Sequence, residues 1–394
     1  MNRLAVVQHH SGSIRLASLQ FLTLAAVGMV SPYINLYLVD IGFSATLIGT
    51  LSSIGAVLAL VLTPILNQFA DKRMLHRRLF MAYLLGFAIA NIIFATSHVE
   101  FIIIIAVLLV QVTVSPSMTL GMQLTMTQLA NRSKAMLGQI RSFAAMGFAA
   151  ASLLAGQLFG VGGFPLLFWI GALFAAISIQ VATIFPAKPK IKQASSDAPP
   201  VARRKGFYVM LASQFFALMG IQNSFVFIFV HFQQNLGIPT AEIGVWAALI
   251  AGAEIPFFVL MDSVLPRVKF RQGYIFGLLG MATFIFLLGA TESLLMLALL
   301  LLFRGLMWPS LHLSSFGVVS AISHPQNVAT NQAILQVTVP SIAMLLTGSA
   351  FGWVFEHLGA FVFFGLCAFM CVIGASIMLV GYRLFEVNPQ PKTA

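Results

Sequence analysis

Long apolar runs recur along the whole of this sequence, separated by short polar connections. A helix needs about 20 apolar residues to cross a hydrocarbon core about 30 Å thick, and twelve runs approach or exceed that length. They cover residues 16–39, 46–70, 78–96, 101–129, 135–160, 164–185, 207–234, 242–265, 273–290, 294–320, 328–355 and 360–382. In lipid, backbone polar groups must be hydrogen-bonded within the segment. The sequence therefore predicts an all-α membrane protein with twelve transmembrane helices.

The net charge of +11 follows the predicted topology. If the N-terminus is cytoplasmic, 19 of the 21 lysines and arginines fall in cytoplasmic segments, and the other two lie within spans. The outside connections carry acidic residues instead, namely Asp40, Glu100, Glu242, Glu292 and Glu356. This asymmetry is the positive-inside pattern. It predicts that both termini are cytoplasmic, and it explains the basic charge without a nucleic-acid partner.

A polar, basic segment at 188–206 divides the runs into six and six. It is rich in Pro, Ser and Ala and has too little apolar surface to order itself. We therefore predict a first six-helix bundle over 1–187, a cytoplasmic linker over 188–206 and a second six-helix bundle over 207–394.

The two halves contain similar stretches. Residues 41–49 resemble 236–244 at an offset of 195, and residues 153–160 resemble 345–352 at an offset of 192. Pro116 and Pro309 are separated by 193. The two repeats have the same orientation, and transporters built from such repeats bind solutes near the midplane, at the repeat interface.

The loop at 67–78 is similar to a loop motif of the major facilitator superfamily, with Asn67 and Met74 where the family usually has glycine. The resemblance extends over nearly the whole chain and implies the major facilitator fold. It also implies that Asp71 pairs with basic groups at a cytoplasmic gate, beside Lys72 and Arg73. The alternative is a solvated basic loop that only fixes topology.

Residues 138–147 and 253–256 resemble the branch that contains lactose permease, nucleoside–proton symporters and phenylpropionate-type permeases. This resemblance implies that Arg141 and Glu254 contact the substrate. The carboxylate expected opposite the arginine is replaced by Gln123. The His-x-x-Glu proton relay of lactose permease is absent, since the corresponding stretch begins at Arg304.

Glu254 and Arg304 each stand alone in a long apolar run. A charged side chain in a membrane helix is costly, about 2.5–3.5 kcal/mol at the helix centre, and it marks a functional site by default. Both lie roughly 16–18 Å below the outer end of their spans, at about 1.5 Å per residue. We expect them to pair and to bind substrate or couple protons; the alternative is a structural salt bridge.

Three further polar residues within spans are candidates for substrate binding: Gln111, the repeat equivalent of Arg304, and Asn35 and Tyr37 beside Pro32. Each could equally be an interhelical hydrogen-bonding residue. His231 and His312 could carry protons or satisfy neighbouring helices. No spacing of ligating residues predicts a metal site, and we expect no cofactor.

These features favour a secondary transporter that moves a sugar, nucleoside or small aromatic acid by proton symport. Proton-driven efflux of sugars or amphipathic compounds is the alternative. A membrane enzyme or receptor is disfavoured, because no nucleophile–base or metal constellation is present. We expect a multi-pass monomer in a bacterial inner membrane, whose partners are the solute, protons and the lipid bilayer.

Overall fold

The computed structural model describes residues 3–128, 134–184, 205–264, 268–324 and 327–381. Within these ranges it describes all side chains except those of residues 3–14, 126–128, 134–141, 259, 262, 263 and 329.

Every regular element in the described ranges is helical. The helices are α1 (Arg3–Asp40), α2 (Ala45–Arg73), α3 (His76–Thr96), α4 (Glu100–Gln128), α5 (Lys134–Thr183), α6 (Lys205–Gln234), α7 (Ile243–Val264), α8 (Phe270–Ala290), α9 (Leu294–Ile322), α10 (Val328–Ala333) and α11 (Val339–Val380). A 3₁₀ turn at Thr240–Glu242 precedes α7, and a π-helical segment at Ile334–Thr338 joins α10 to α11.

Ten helical segments of the described residues are long and apolar enough to cross a membrane. Two of them are interrupted by a glycine outside helical geometry: Gly163 in α5 (φ 62°, ψ −159°) and Gly359 in α11 (φ 81°, ψ 169°). These interruptions fall between the predicted spans 135–160 and 164–185, and between 328–355 and 360–382. The prediction of an all-helical membrane protein is confirmed for the described part of the chain.

The chain forms two compact units. The first contains Met1–Phe43, Ile54–Lys192 and Phe229–Ile255, and the second contains Ser44–Ser53, Gln193–Ile228 and Pro256–Ala394. Each unit thus includes a short segment from the other half of the sequence. Most of the predicted linker, residues 188–204, lies outside the described residues.

In the first unit, α1 packs along α5, and α3 packs against α4 and α5. The first of these contacts is close because it is made at glycine. A Cβ on Gly28 would lie 2.5 Å from the carbonyl oxygen of Phe148, so only glycine lets the two backbones approach this far. Ser152 donates its hydroxyl to the Gly28 carbonyl at 2.9 Å and fixes the register of the pair.

In the second unit, α8 packs against α9 and α11. The ring of Phe227 from α6 stacks on Phe355 of α11 at 4.8 Å, and Phe363 contacts both edge-on. Ser213 of α6 donates to the Gly374 carbonyl at 2.6 Å. This aromatic core holds α6 against α11.

The repeat predicted at 41–49 and 236–244 is visible in the backbone. Gly42 and Gly237, which are 195 residues apart, have φ values of 95° and 66°. A side chain strains this left-handed conformation, whereas glycine adopts it freely. Both turns therefore use glycine at the same repeat position.

Candidate functional site

Four side chains at intervals of four residues form a stripe along α9: Arg304, Trp308, His312 and Phe316. Residues four apart are neighbours on one face of a helix. We call this set the α9 stripe. It extends about 18 Å along the helix, at about 1.5 Å per residue.

Arg304 is buried, with 4% of its surface exposed. Its guanidinium carbon lies 4.7 Å from the centre of the Phe225 ring, which α6 supplies, and 5.9 Å from the Trp308 ring. Cations are attracted to aromatic faces in this arrangement, by about 2 kcal/mol or more when water is excluded. The two rings therefore offset part of the cost of a charge within a membrane helix.

The imidazole of His312 lies among aromatic rings. It stacks on Trp308 with ring centres 5.7 Å apart and an angle of 24° between the planes. Phe316 meets it edge-on at 5.1 Å, and Phe258 of α7 does so at 6.3 Å. The α9 stripe and the rings from α6 and α7 thus form one continuous aromatic and cationic surface.

Amide side chains fix the helices around this surface. Gln336, in the π-helical segment, donates to the Ser315 hydroxyl of α9 at 3.4 Å. Two residues of α6 donate to the chain between 335 and 340: Gln214 to the Leu335 carbonyl at 3.0 Å, and Gln222 to the Pro340 carbonyl at 3.1 Å. π-Helical turns frequently occur at functional sites, and these bonds hold this one beside α9 and α6.

Residues 13–366 match the model of the MFS_1 like family. The match extends over nearly the whole chain. The protein belongs to the MFS_1 like family. The expected membership of the major facilitator superfamily is therefore confirmed.

Solved structures of other transporters share the fold of this MFS_1 like protein. The nucleoside transporter NupG is 17% identical, with 95% of this chain and 99% of that chain covered and a TM-score of 0.76. The human organic anion transporter MFSD10 (TETRAN) is 15% identical, with 93% and 98% covered and a TM-score of 0.66. A POT family transporter in complex with a thioalcohol-conjugated peptide is 11% identical, with 96% and 97% covered and a TM-score of 0.73. No curated protein sequence matches the chain.

In this MFS_1 like protein, the predicted gate loop lies at the end of α2. The Asp71 carboxylate pairs with the His76 imidazole at 2.5 Å, so its partner belongs to the same loop. Arg73 lies over the Phe69 ring at 4.5 Å, and Lys72 is exposed.

Met74, in the same loop, has a φ of 56°, a conformation that favours glycine. This explains in physical terms why glycine suits the position where Met74 departs from the superfamily pattern.

The predicted binding residues of α4 and α5 are in different settings. Gln111 packs against α2 at Gly55, where an added Cβ would lie 2.6 Å from the Gln111 side chain. Gln123 is exposed near the end of α4. The side chain of Arg141 lies outside the described residues. Substrate binding by these three stays a prediction.

The candidates in α1 and α7 differ in burial. Tyr37 is 7% exposed and packs against Phe94 and Phe168 with ring centres 5.8 and 5.1 Å away, which favours a packing role. Asn35 is half-buried.

Glu254 is half-buried in the first unit, whereas Arg304 belongs to the second. The pairing of Glu254 with Arg304 remains a prediction.

Sequence reasoning missed the aromatic partners of Arg304 and His312, namely Phe225 beside Arg304 and Phe258 beside His312. Phe225 and Phe258 come from other helices, and phenylalanine is common throughout the apolar runs, so nothing in their local sequence marks them. Trp308 could have been found, because it stands four residues after the isolated arginine and four before His312. No group of three or more potential metal ligands occurs in the described ranges.

Proposed function

We propose that this protein is a secondary transporter that moves a small organic solute by alternating access, driven by proton symport. The family and the fold support secondary transport of a small solute. The structural relatives carry names that include nucleoside and organic anion transporters. Proton coupling and the choice of solute are the proposed part.

The observation that carries the proposal is the placement of Arg304. A guanidinium within a membrane helix is costly and is found facing the bundle interior or a water-filled cavity, where it marks a solute or ion pathway. Two aromatic rings hold this one in place. We assign Arg304 the binding of a polar or anionic group of the solute, with Gln111, Gln123, Arg141, Asn35 and Tyr37 as further binding candidates.

The proposed topology has twelve spans, with α5 and α11 each counted as two because of Gly163 and Gly359. The first and second halves, 1–187 and 207–394, form the two repeats, with both termini in the cytoplasm of a bacterial cell and the spans in its inner membrane. The protein acts as a monomer. Asp71, Lys72 and Arg73 act at the cytoplasmic gate.

Glu254 is the proposed coupling group, together with Arg304. A nearby cation lowers the proton affinity of a carboxylate, and burial without one raises it. A change of surroundings during the transport cycle would therefore make Glu254 take up and release a proton. Proton-driven efflux is the second candidate, because the lactose-type relay is missing from the sequence.

Flux into proteoliposomes tests the proposal. Purified protein is reconstituted and offered radiolabelled sugars, nucleosides and aromatic acids under an imposed pH gradient. Acidification outside accelerates uptake under symport, whereas under antiport the same gradient drives export of preloaded solute. Failure to move any of these solutes would contradict transport.

Two substitutions test the assigned residues. Glu254→Gln should retain solute binding but lose proton-driven accumulation, and unchanged pH dependence would remove Glu254 as the coupling group. Arg304→Lys keeps the charge but loses the planar fork of donors, so solute should bind on the order of tenfold more weakly. Glu100→Gln and Arg15→Lys, at exposed positions outside the predicted gate loop, are the matched controls.

A further inference from the structure

We propose that the π-helical segment at 334–338 is a register switch. Gln214 of α6 holds it in the π register, and its conversion to the α register moves α10 and the end of α9 relative to α6 and α11. The inference rests on the proposed function in one respect, because the proposed topology places α10 and the end of α9 at the cytoplasmic side. A switch at this place would change access to the transport path from the cytoplasm.

Two donors compete for one carbonyl in this segment. The Val339 N–H bonds to the Ile334 carbonyl, five residues earlier, which is the π register. In the α register the same N–H bonds to the carbonyl four residues earlier, which belongs to Leu335. That carbonyl is occupied instead by the side-chain amide of Gln214, at 3.0 Å. The two registers therefore both satisfy the Leu335 carbonyl, and they differ in the group that donates to it.

Pro340 disfavours the α register. Proline has no N–H, and its ring clashes with the carbonyl four residues earlier in a continuous α-helix; here that carbonyl belongs to Gln336. In the π register the carbonyl in line with residue 340 is that of Leu335, to which proline cannot donate. Leu335 is fully buried, and a buried carbonyl without a partner is costly. Gln214 supplies the missing donor, so the proline and the glutamine together stabilise the π register.

The chain on the two sides of the segment is bound to different helices. On the N-terminal side, Asn331 of α10 donates to the Ser323 hydroxyl at the end of α9, at 2.8 Å. On the C-terminal side, Asn223 of α6 donates to the Thr347 hydroxyl of α11, also at 2.8 Å. A change of register by one residue corresponds to about 100° of rotation and about 1.5 Å of rise. Because each side is bonded to its own neighbour, α10 and the end of α9 should move as one body against α6 and α11.

At the equivalent place in the first half of the chain, a regular helix replaces the segment. At the offset of 192, the segment and Pro340 correspond to 142–146 and Phe148, which lie in a continuous α-helical stretch of α5. At the offset of 195, Gln214 corresponds to Leu19, whose side chain has no donor. The repeat thus folds without a π-helical turn at this position. The segment, its proline and its glutamine are features of the second half, which a role in movement explains better than packing does.

Distances between spin labels test the switch, and they require no solute. Three exposed positions receive the labels through Tyr208→Cys on α6, Ala321→Cys at the end of α9 and Leu346→Cys on α11. We call 208 with 321 the switch pair, because it joins the two bodies, and 208 with 346 the reference pair, because it lies within one. The native Cys367 and Cys371 are buried and should not react with the label. Double electron–electron resonance is measured on purified, full-length protein.

Variants at the contested bond should change the distances of the switch pair alone. Gln214→Met keeps the length of the side chain but removes the donor, so the ratio of the two registers should change on the order of fivefold towards the α register. Pro340→Ala removes the ring clash and should shift the distances in the same direction. Gln222→Met is the matched control. Gln222 lies on the same helix and donates to the Pro340 carbonyl at 3.1 Å, outside the contested bond, so this variant should leave the distances of the wild type.

Three outcomes would overturn the inference. The first is an unchanged switch pair in well-folded Gln214→Met or, where that variant does not fold, in Pro340→Ala. The second is an equal shift in Gln222→Met, which would show that loss of any amide bond loosens these helices. The third is an equal shift of the reference pair, which would show that α6 and α11 separate.

Flux assays separate these failures from failure of the proposed function. If the protein moves solute but its switch pair does not respond, the register switch is wrong and transport stands. If the switch pair responds as expected but none of the offered solutes moves, the register switch stands and transport is contradicted.

Discussion

Two helix crossings in this protein have the same backbone contact but different side-chain chemistry. In the α2 crossing, residues 45–53 of α2 lie against residues 344–356 of α11, within the second unit. In the α7 crossing, residues 241–244 lie against residues 152–156 of α5, within the first unit. An offset of 195 relates the α2 segment to the α7 segment, and an offset of 192 relates the α5 segment to the α11 segment. The two crossings are therefore equivalent in the repeat. Each joins segments from different halves of the sequence.

Glycine makes both crossings close. A Cβ on Gly49 would collide with the backbone of Gly348, and a Cβ on Gly244 would collide with the backbone of Ser152. Gly49 and Gly244 are equivalent in the repeat. Small residues allow helices in a membrane to approach until their backbones touch, so both copies of the repeat keep this packing.

Hydrogen bonds that involve polar side chains distinguish the α2 crossing. Glu356 accepts two bonds from Thr46, one from its backbone N–H at 2.9 Å and one from its hydroxyl at 2.6 Å. The hydroxyls of Thr50 and Ser349 are 2.9 Å apart. These bonds link α2 to α11, and the two from Thr46 involve a charge placed at the N-terminus of α2, where the helix dipole favours it.

The equivalent positions of the α7 crossing cannot form such bonds. Thr46 and Thr50 correspond to Ala241 and Val245 at the offset of 195. Neither side chain has a hydrogen-bond donor. The comparison teaches that the repeat specifies the packing, whereas the bonds of Glu356, Thr46 and Thr50 belong to one copy. The α2 crossing should therefore respond to pH through Glu356.

The largest effect should come from adding a side chain at either glycine. Gly49→Ala and Gly244→Ala place a Cβ against backbone that cannot move aside, and overpacking of this kind costs about 1–3 kcal/mol. We expect a clear loss of thermal stability in detergent for both variants. If only one variant lost stability, the shared packing of the two crossings would be contradicted.

Matched controls exist in both units. Nothing lies within 4 Å of a Cβ built on Gly365 or on Gly252, and both glycines are within helices. Gly365→Ala and Gly252→Ala should therefore be neutral or stabilise by about 0.5–1 kcal/mol, because alanine favours the helix more than glycine does.

The fold was more predictable from the sequence than the site. Apolar length predicted the helices, and the similarity of 41–49 to 236–244 predicted the equivalence of Gly49 and Gly244. These signals are local or repeat at a fixed offset, so one sequence contains them. The interruptions at Gly163 and Gly359 also fall where the predicted spans end.

Contacts between distant residues gave no such signal. Arg304 was identified because a charge is rare in an apolar run, but its partner Phe225 looks like any other phenylalanine in a span. Glu356 was predicted only as an acidic residue outside the membrane. Its bonds to Thr46 join residues 310 apart, and they depend on how α2 and α11 pack, which neither local sequence encodes.

A smaller effect should follow from Glu356→Gln. The Thr46 hydroxyl and then its backbone N–H hold the pKa of Glu356 below the usual range. Because this pKa is lower in the folded state, the carboxylate contributes stability above its ordinary pKa of about 4.3. That contribution is lost as the pH falls through the lowered value. The difference between the wild type and Glu356→Gln should therefore shrink on acidification.

Thermal unfolding measured from neutral pH to about one unit below the ordinary glutamate pKa checks this expectation. Glu292→Gln, at an exposed carboxylate in the connection before α9, is the control and should not reproduce the difference. A pH-independent gap between Glu356→Gln and the wild type would show that the charge does not strengthen the α2 crossing.

The smallest effect should come from the hydroxyl pair. Thr50 donates its proton to the Thr46 carbonyl at 2.8 Å, so Ser349 must be the donor in the contact between the two hydroxyls. A neutral hydrogen bond contributes about 0.5–1.5 kcal/mol. A double-mutant cycle of Thr50→Val and Ser349→Ala should give a coupling energy of about 0.5–1 kcal/mol.

Ser376→Ala is the control for this cycle. Ser376 lies on the same helix as Ser349 but is bonded to its own turn, so its variant should show no coupling with Thr50→Val. If the Thr50 and Ser349 variants were additive, the difference between the crossings would reduce to Glu356 alone, because the hydroxyls would then add nothing to the glycine packing that both copies share.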